Sequence, residues 1–204
     1  LWGGCVRAFL ERIYISVNDF FSVYLTIATS ISYSMMKRRK QGIYESTGNV
    51  VILVIITLAA FAAYAGIQYE TFSIARFSNM YAFSALLVAL ISGSIYYALK
   101  GSSFLQAKKQ RTNTDNVYIG AVEGILPAVV IIGFFVLLRQ VLYAAFGVNG
   151  LQELLENLFN FLLKPLKNGL GAGLIVILLT HILWFFGIHG HNMLDAVIKQ
   201  NFTD

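Results

Sequence analysis

Charged residues are scarce in this sequence of 204 residues. Asp, Glu, Lys and Arg together make up 12% of it, whereas hydrophobic residues make up 57%. An ordinary soluble domain has roughly 25% charged residues. The scarcity therefore excludes a typical soluble enzyme or binding module, and the mean hydropathy of +0.69 points the same way.

Cysteine is almost absent as well. Cys5 is the only one, so no disulfide can form within the chain, and we expect Cys5 to be a small packing residue. The chain begins Leu-Trp-Gly-Gly rather than with Met, and no signal-peptide pattern is present. We therefore expect a fragment or an internal domain of a longer protein, in which no internal repeat or linker marks a second domain.

Long apolar stretches fill most of the chain. Four of them are about twenty residues long, the length that a bilayer-spanning helix needs and that a soluble core does not require several times. They predict an all-α polytopic membrane protein with about five transmembrane helices, one amphipathic interfacial helix and the start of a re-entrant segment. We place the spans at residues 13–36, 48–68, 79–99, 117–146 and 170–188.

Two clusters of basic residues lie between the predicted spans. The first is Lys-Arg-Arg-Lys at residues 37–40, and the second comprises Lys100, Lys108, Lys109 and Arg111. The positive-inside rule places both loops in the cytoplasm, and the two spans that separate them are consistent with this. The net charge of +5 therefore reflects membrane topology rather than a nucleic-acid partner, and such clusters could also bind anionic lipid head groups.

The first predicted span is unusually polar. It carries Asn18, Asp19 and seven hydroxyl residues: Ser16, Ser22, Thr26, Thr29, Ser30, Ser32 and Ser34. We expect this segment to face other helices or a water-filled cavity, and Asp19 to be either a cavity residue or a residue at a helix end. In the third span, Ser84, Ser92, Gly93 and Ser94 predict close helix packing.

The fourth predicted span contains a carboxylate close to a proline. Glu123 precedes Pro127 by four residues, and a proline inside a helix leaves the carbonyl four residues earlier without its partner and tends to kink the helix. Glu123 is a functional-site candidate, although it could instead reach the cytoplasmic interface or pair with a lysine. Arg139 is predicted to reach the outer interface or a partner carboxylate.

A polar connector follows the fourth span. Glycines at 147 and 150 break the chain, and residues 151–168 are predicted to form an amphipathic helix. Its apolar face comprises Leu151, Leu154, Leu155, Leu158 and Leu162. The helix could lie in the membrane interface or along the outer edge of the protein.

The residues that end the last apolar stretch resemble a known family. The sequence Trp-Phe-Phe-Gly-Ile-His-Gly at residues 184–190, hereafter the WFFGIHG motif, follows Lys-Pro-Leu at 164–166 and a glycine-rich segment. It resembles the membrane subunit, enzyme IIC, of sugar phosphotransferase systems of the lactose/cellobiose (diacetylchitobiose) branch. Weaker similarity covers nearly the whole chain, including residues 31–34 before the basic loop and residues 120–127 before a long apolar helix.

The resemblance implies a dimeric, all-helical, multi-pass transporter of the bacterial plasma membrane. Such a protein binds a disaccharide-type sugar (cellobiose, lactose or chitobiose-like), moves it by a rigid-body swing of its substrate-binding half, and presents it to a phosphorylated IIB partner. It implies that the phosphoryl-transfer residue belongs to IIB, so no catalytic residue, metal or cofactor is expected in this chain. The lack of a nucleotide-binding loop agrees with this.

The resemblance also nominates site residues. His189 corresponds to the family histidine that contacts the sugar hydroxyls, and Gly187 and Gly190 correspond to its flanking glycines. An imidazole can donate to or accept from a hydroxyl, and glycines permit a re-entrant bend inside a protein-lined cavity. His191 and Asn192, which follow the motif, and Glu123, which its place in the fourth span rather than the family pattern nominates, complete the predicted substrate-binding set.

The family pattern divides the chain into parts. It is expected to be a partial IIC-like domain, with scaffold helices at 1–146, the amphipathic connector at 147–168 and the start of the substrate-binding part at 169–204. The family's first span would precede Leu1, its acidic motif would follow Asp204, and residues 117–120 lack the usual double proline. These departures motivate an alternative function, a transport-deficient membrane sensor or anchor of a larger signalling protein.

A metal site is a third hypothesis. His181, His189, His191 and Asp195 are close in sequence. However, two histidines two residues apart diverge on a helix, and no established metal-binding spacing is present. His181 alone is predicted to be a packed helical residue with one hydrogen bond.

Overall fold

The computed structural model describes residues 2–41, 47–66, 74–101, 116–163, 169–185 and 194. Within these ranges the chain is helical and contains no strand, as the sequence predicts. The described α-helices are α1 (Trp2–Asp19), α2 (Phe21–Gln41), α3 (Thr47–Ala65), α4 (Ala82–Lys100), α5 (Asn116–Phe146), α6 (Leu151–Leu163) and α7 (Leu170–Phe185). Two short 3-10 helices, Ile74–Phe77 and Asn79–Tyr81, precede α4.

Three of the described helices are long and apolar enough to cross a membrane. The qualifying stretches are Gly48–Ala65 in α3, Asn79–Lys100 around α4, and Gly124–Leu155, which includes most of α5. Helix α7 is apolar over Gly173–Trp184 but shorter. Its 16 residues rise about 24 Å, less than the hydrocarbon thickness of roughly 30 Å. The length and apolar character of these helices are consistent with a membrane protein.

The first predicted span is not one helix. Residues 13–36 are divided at Phe20, where α1 has ended at Asp19 and α2 begins at Phe21. The amide of Asn18 donates to the Asp19 carboxylate over 3.2 Å, and such local side-chain bonding competes with helical pairing, which favours helix ends. Asp19 is therefore a helix-end residue, one of its two predicted roles.

The contacts divide the chain into two compact units. The central unit comprises residues 23–72 and 84–141, and the terminal unit comprises residues 1–22, 73–83 and 142–204. The predicted division into scaffold, connector and substrate-binding parts follows the chain rather than these contacts and stays a prediction.

In the central unit, α2 and α4 pack through their C-terminal halves. The Tyr33 hydroxyl lies 2.9 Å from Ser94 Oγ, and Ser34 Oγ lies 2.7 Å from the Tyr97 hydroxyl. At Gly93, a Cβ would come within 2.6 Å of the Tyr33 ring, so only glycine allows this approach. The C-terminal ends of α2 and α4 therefore lie at the same end of the unit.

Helices α3 and α5 form a second parallel pair in the central unit. Ile52 packs against Gly124, and the rings of Tyr64 and Phe135 meet edge to face with centroids 5.9 Å apart. Farther along both helices, Arg139 reaches the C-terminal end of α3. The contacts occur in the same order along the two helices, so α3 and α5 run in the same direction.

The terminal unit brings α1 beside the 3-10 helix Ile74–Phe77. Ser22 Oγ donates to the carbonyl of Ser78 over 2.6 Å. At the start of α6, the Glu153 carboxylate accepts from the backbone N–H of Asn149 over 2.7 Å, an arrangement close to a capping box. Gly147 ends α5 with a φ of 68°, a helix-terminating conformation that glycine favours. The predicted break between α5 and α6 is confirmed.

Candidate functional site

Most of the predicted substrate-binding residues lie outside the described ranges. This holds for Gly187, His189, Gly190, His191 and Asn192. Their assignment therefore stays a prediction. The structure does describe the helix that leads into the WFFGIHG motif and one residue that follows it.

Helix α7 presents two contrasting faces. Ile175, Val176, Leu179 and Leu183 pack against a hydrophobic cluster, at the spacing expected for one face of a helix. On the other side, the exposed apolar residues are Leu174, Ile177, Leu178, Ile182 and Trp184. Within the described part of the chain, the motif thus begins on a helix that packs through one face.

Residues on both sides of the motif meet in that hydrophobic cluster. Its centre is formed by Phe159 of α6 and by Leu194, which is completely buried, and Leu183 packs against it. Leu183 precedes the motif's glycines and Leu194 follows them, so the two ends of the motif-bearing segment are held at one place.

The buried face of α6 differs from the predicted one. Leu155 packs against the cluster as predicted, whereas Leu158, also assigned to the apolar face, is 49% exposed, and Phe159 and Gln152 are buried. The leucine spacing alone misplaced the centre of this face because it did not take Phe159 into account. An aromatic residue one position after a leucine is the signal that was missed.

His181 lies on the exposed side of α7. Its Nδ1 is 2.7 Å from the carbonyl oxygen of Ile177, one turn earlier. Because a carbonyl only accepts, Nδ1 donates this bond and carries the proton. The single hydrogen bond is confirmed, but the prediction of a packed side chain is wrong, because α7 turns this position away from the cluster.

Most of the proposed metal-binding residues lie outside the described ranges. His181 is the one member of the proposed set that they include, and no group of three or more metal-binding side chains occurs among the described residues. His189, His191 and Asp195 lie outside these ranges.

Glu123 lies within α5, and its side chain falls outside the described part of the structure. The next residue, Gly124, packs against Ile52, and Pro127 is buried inside the helix. The helix continues through Pro127 without a break. Since proline has no N–H, the carbonyl of Glu123 has no helical partner there.

A column of buried hydroxyls runs along α2. Ser22, Thr26, Ser30 and Ser34 recur every four residues, and each is at most 1% exposed. Ser30 Oγ donates to the carbonyl of Thr26 over 2.8 Å. The expectation that the hydroxyls of this segment face protein is confirmed for these four, whereas Ser16 and Ser32 are exposed.

Helix α4 adds buried hydroxyls of a different kind. Ser84 and Ser92 are completely buried, and their Oγ atoms have no hydrogen-bond partner in the part of the chain that is described. Leaving a buried hydroxyl unsatisfied costs about 1–3 kcal/mol. The small residues of α4 were predicted to permit close packing, and Gly93 confirms this through its contact with Tyr33.

Arg139 lies at the C-terminal end of α3. A Cβ on Gly66 would collide with its guanidinium group, and Gly66 has a φ of 71° directly after the helix. A helix C-terminus carries partial negative charge, which a nearby cation stabilises. The partner of Arg139 in the structure is therefore a helix end, which the sequence alone did not indicate.

Comparisons of the chain with protein-family models, with curated proteins and with solved structures found no match. The helical fold and the three long apolar helices define the class, a helical protein able to cross a membrane. The more specific function rests on the residues of the chain itself.

Proposed function

We propose that this chain is part of the sugar-translocating membrane subunit IIC of a phosphotransferase system. In this proposal it binds a disaccharide-type sugar in the plasma membrane of a bacterium and presents the sugar to a phosphorylated IIB partner. His189 contacts the sugar hydroxyls, Gly187 and Gly190 shape the backbone around it, and His191, Asn192 and Glu123 are the further predicted substrate-binding residues.

The WFFGIHG motif is the observation that carries the proposal. It joins a histidine to two glycines directly after an apolar helix, and it combines a hydrogen-bonding ring with a backbone that bends easily. The packing of Leu183 against the cluster that contains the buried Leu194 supports it. A binding segment with fixed ends can hold its polar groups in a reproducible position.

The helix directions support the proposed topology. Successive spans cross a membrane in opposite directions, so the first and third of them run parallel, as do the second and fourth. Helices α2 and α4 form one such pair, and α3 and α5 form the other. In the proposed protein, α2 and the predicted span at residues 170–188 also cross the bilayer, and both basic loops lie in the cytoplasm.

A phosphorylation assay with three histidine variants tests the proposal. The full-length protein is reconstituted in vesicles with its phosphorylated IIB partner, and transfer to cellobiose, lactose and diacetylchitobiose is measured. His189→Ala should abolish sugar phosphorylation while leaving expression and dimerisation intact. His181→Ala is the matched control, since that ring bonds only to its own helix among the described groups, and it should retain wild-type activity.

The remaining outcomes are equally informative. His191→Ala should reduce activity less than His189→Ala, because the family pattern does not require histidine there. Wild-type uptake in His189→Ala would refute the site. If the wild-type protein binds none of these sugars, transport itself is refuted, and the membrane sensor or anchor becomes the function to test.

A further inference from the structure

Cations from two helices gather at one end of the central unit. Helix α2 carries Lys37 and Arg39 close to its C-terminal end, and Lys100 is the last residue of α4. These residues are far apart in sequence, but the contacts of Tyr33 with Ser94 and of Ser34 with Tyr97 place both helix ends together. We call Lys37, Arg39 and Lys100 the basic end.

A layer of tyrosines and serines lies directly beneath the basic end. The rings of Tyr33 and Tyr97 have centroids 6.1 Å apart, and those of Tyr96 and Tyr97 are 5.4 Å apart. Lys100 Nζ lies 5.8 Å from the centre of the Tyr96 ring, within the range of a cation–π contact. This layer holds Lys100 and joins the two helices one turn before their cations.

The layers follow the order of a bilayer. Apolar residues of α4 come first, then tyrosine and serine groups, and then cations. Tyrosine concentrates at the level of lipid head groups, and lysine and arginine beyond it donate to phosphate oxygens. Helices α2, α3 and α4 contain no Asp or Glu, so every charged side chain that these helices contribute at this end is positive.

Two general effects already favour cations at this position. The C-terminal carbonyls of both helices attract cations in the last turn, and the positive-inside rule favours basic loops on the cytoplasmic side. Neither effect requires the cations of two separate helices to stand together over a shared layer of hydroxyls. Their convergence over a shared layer suits a ligand with negative charge.

We propose that the basic end binds the phosphate head groups of anionic phospholipids. The inference depends on a membrane location but not on sugar transport, so it stands or falls separately from the proposed function. A phosphorylated soluble partner would meet the same cations, but the tyrosine layer at head-group depth favours lipid.

Lipid titration of the full-length protein tests the proposal. The protein is stripped of lipid in a neutral detergent, and the binding of phosphatidylglycerol and of phosphatidylcholine is measured by native mass spectrometry. We expect a clear preference for phosphatidylglycerol. A Lys or Arg near an anionic lipid contributes about fivefold in affinity, so K37Q/R39Q/K100Q should weaken phosphatidylglycerol binding about a hundredfold.

Two control variants separate position from total charge. R7Q/R12Q removes cations from α1 in the terminal unit and should leave the lipid preference unchanged. K37R/R39K/K100R keeps the charge and should keep the binding. Retained binding would show that substitution at these positions does not by itself unfold the protein. Equal binding of both lipids, an unchanged K37Q/R39Q/K100Q variant, or equal loss in R7Q/R12Q would overturn the proposal. So would displacement of the lipid by millimolar inorganic phosphate, which would reveal a site for soluble anions.

Discussion

Helices α4 and α7 are both strongly apolar, yet they bury different kinds of residue. Helix α4 buries small and polar groups, with Ala85, Ala89 and Ser92 completely enclosed. Helix α7 buries one aliphatic stripe and exposes large residues, including Leu174 and Trp184. Hydropathy alone does not distinguish these two helices. Among the described residues, α4 contacts α2 within its own unit, whereas α7 packs against the cluster through one face.

The comparison shows what determines packing in an apolar helix. Lipid is as apolar as leucine, so large aliphatic residues gain little from leaving it, and small or polar residues mark the helix interface instead. The buried serines of α4 and the exposed leucines of α7 both follow this rule. A closely packed glycine such as Gly93 should therefore be sensitive to substitution, whereas Gly171 and Gly173 of α7 should tolerate it.

Enlarging Gly93 should have the largest effect. Gly93→Leu would overpack the Tyr33 ring, at a cost of about 1–3 kcal/mol, and would separate the Tyr33 and Ser94 hydroxyls, at a further cost of about 1 kcal/mol. We expect a clear fall in the midpoint of thermal unfolding, measured by circular dichroism in detergent.

Gly171→Leu on α7 is the matched control for that variant. A Cβ at Gly171 has no heavy atom within 4 Å, so the variant should change stability by no more than about 0.5 kcal/mol. Equal destabilisation by the two substitutions would contradict the distinction between α4 and α7.

Substituting Gly66 should have an intermediate effect, separable into two causes. Gly66→Ala places a side chain at a φ of 71°, which costs about 1–2 kcal/mol. It also displaces the Arg139 guanidinium from the end of α3, which costs up to about 1 kcal/mol more. Thermal unfolding of the variant should show the sum of the two.

Gly147→Ala isolates the first cause. Gly147 has a φ of 68°, but a Cβ there has no heavy atom within 4 Å, so only the backbone strain applies. The difference between the two variants should disappear when Arg139 is changed to Gln. If the difference persists in that background, Arg139 does not stabilise the end of α3.

The sequence was sufficient for the apolar helices but not for their polar neighbours. Residues 48–68, 79–99 and 117–146 agree with α3, α4 and α5 within a few positions, because continuous apolar composition needs no knowledge of neighbours. Helix α1 was missed because Arg7, Glu11 and Arg12 interrupt its apolar residues. The spacing of Val6, Phe9, Leu10 and Ile13 on one helical face was the signal available for it.

In the candidate site, too, some features could be predicted from residue identity and others depend on neighbouring helices. The WFFGIHG motif was found from residue identity, and its assignment remains a prediction. The burial of Leu194 and Phe159 could not be foreseen, since it depends on two helices meeting. The four-residue spacing of Ser22, Thr26, Ser30 and Ser34 was visible in the sequence, but only their neighbours determine that this face, rather than that of Ser32, is enclosed.

The smallest predicted effects come from the buried hydroxyls, and they differ in sign. Ser34→Ala removes the partner of the Tyr97 hydroxyl at 2.7 Å and should destabilise the protein by about 0.5–1.5 kcal/mol. Ser92→Ala removes an unsatisfied hydroxyl and should leave stability unchanged or slightly raise it. Thermal unfolding of both variants, measured side by side, checks the contrast. Destabilisation by Ser92→Ala would mean that Ser92 bonds to a water molecule or a ligand, which would make the interface of α4 a polar site rather than a packing surface.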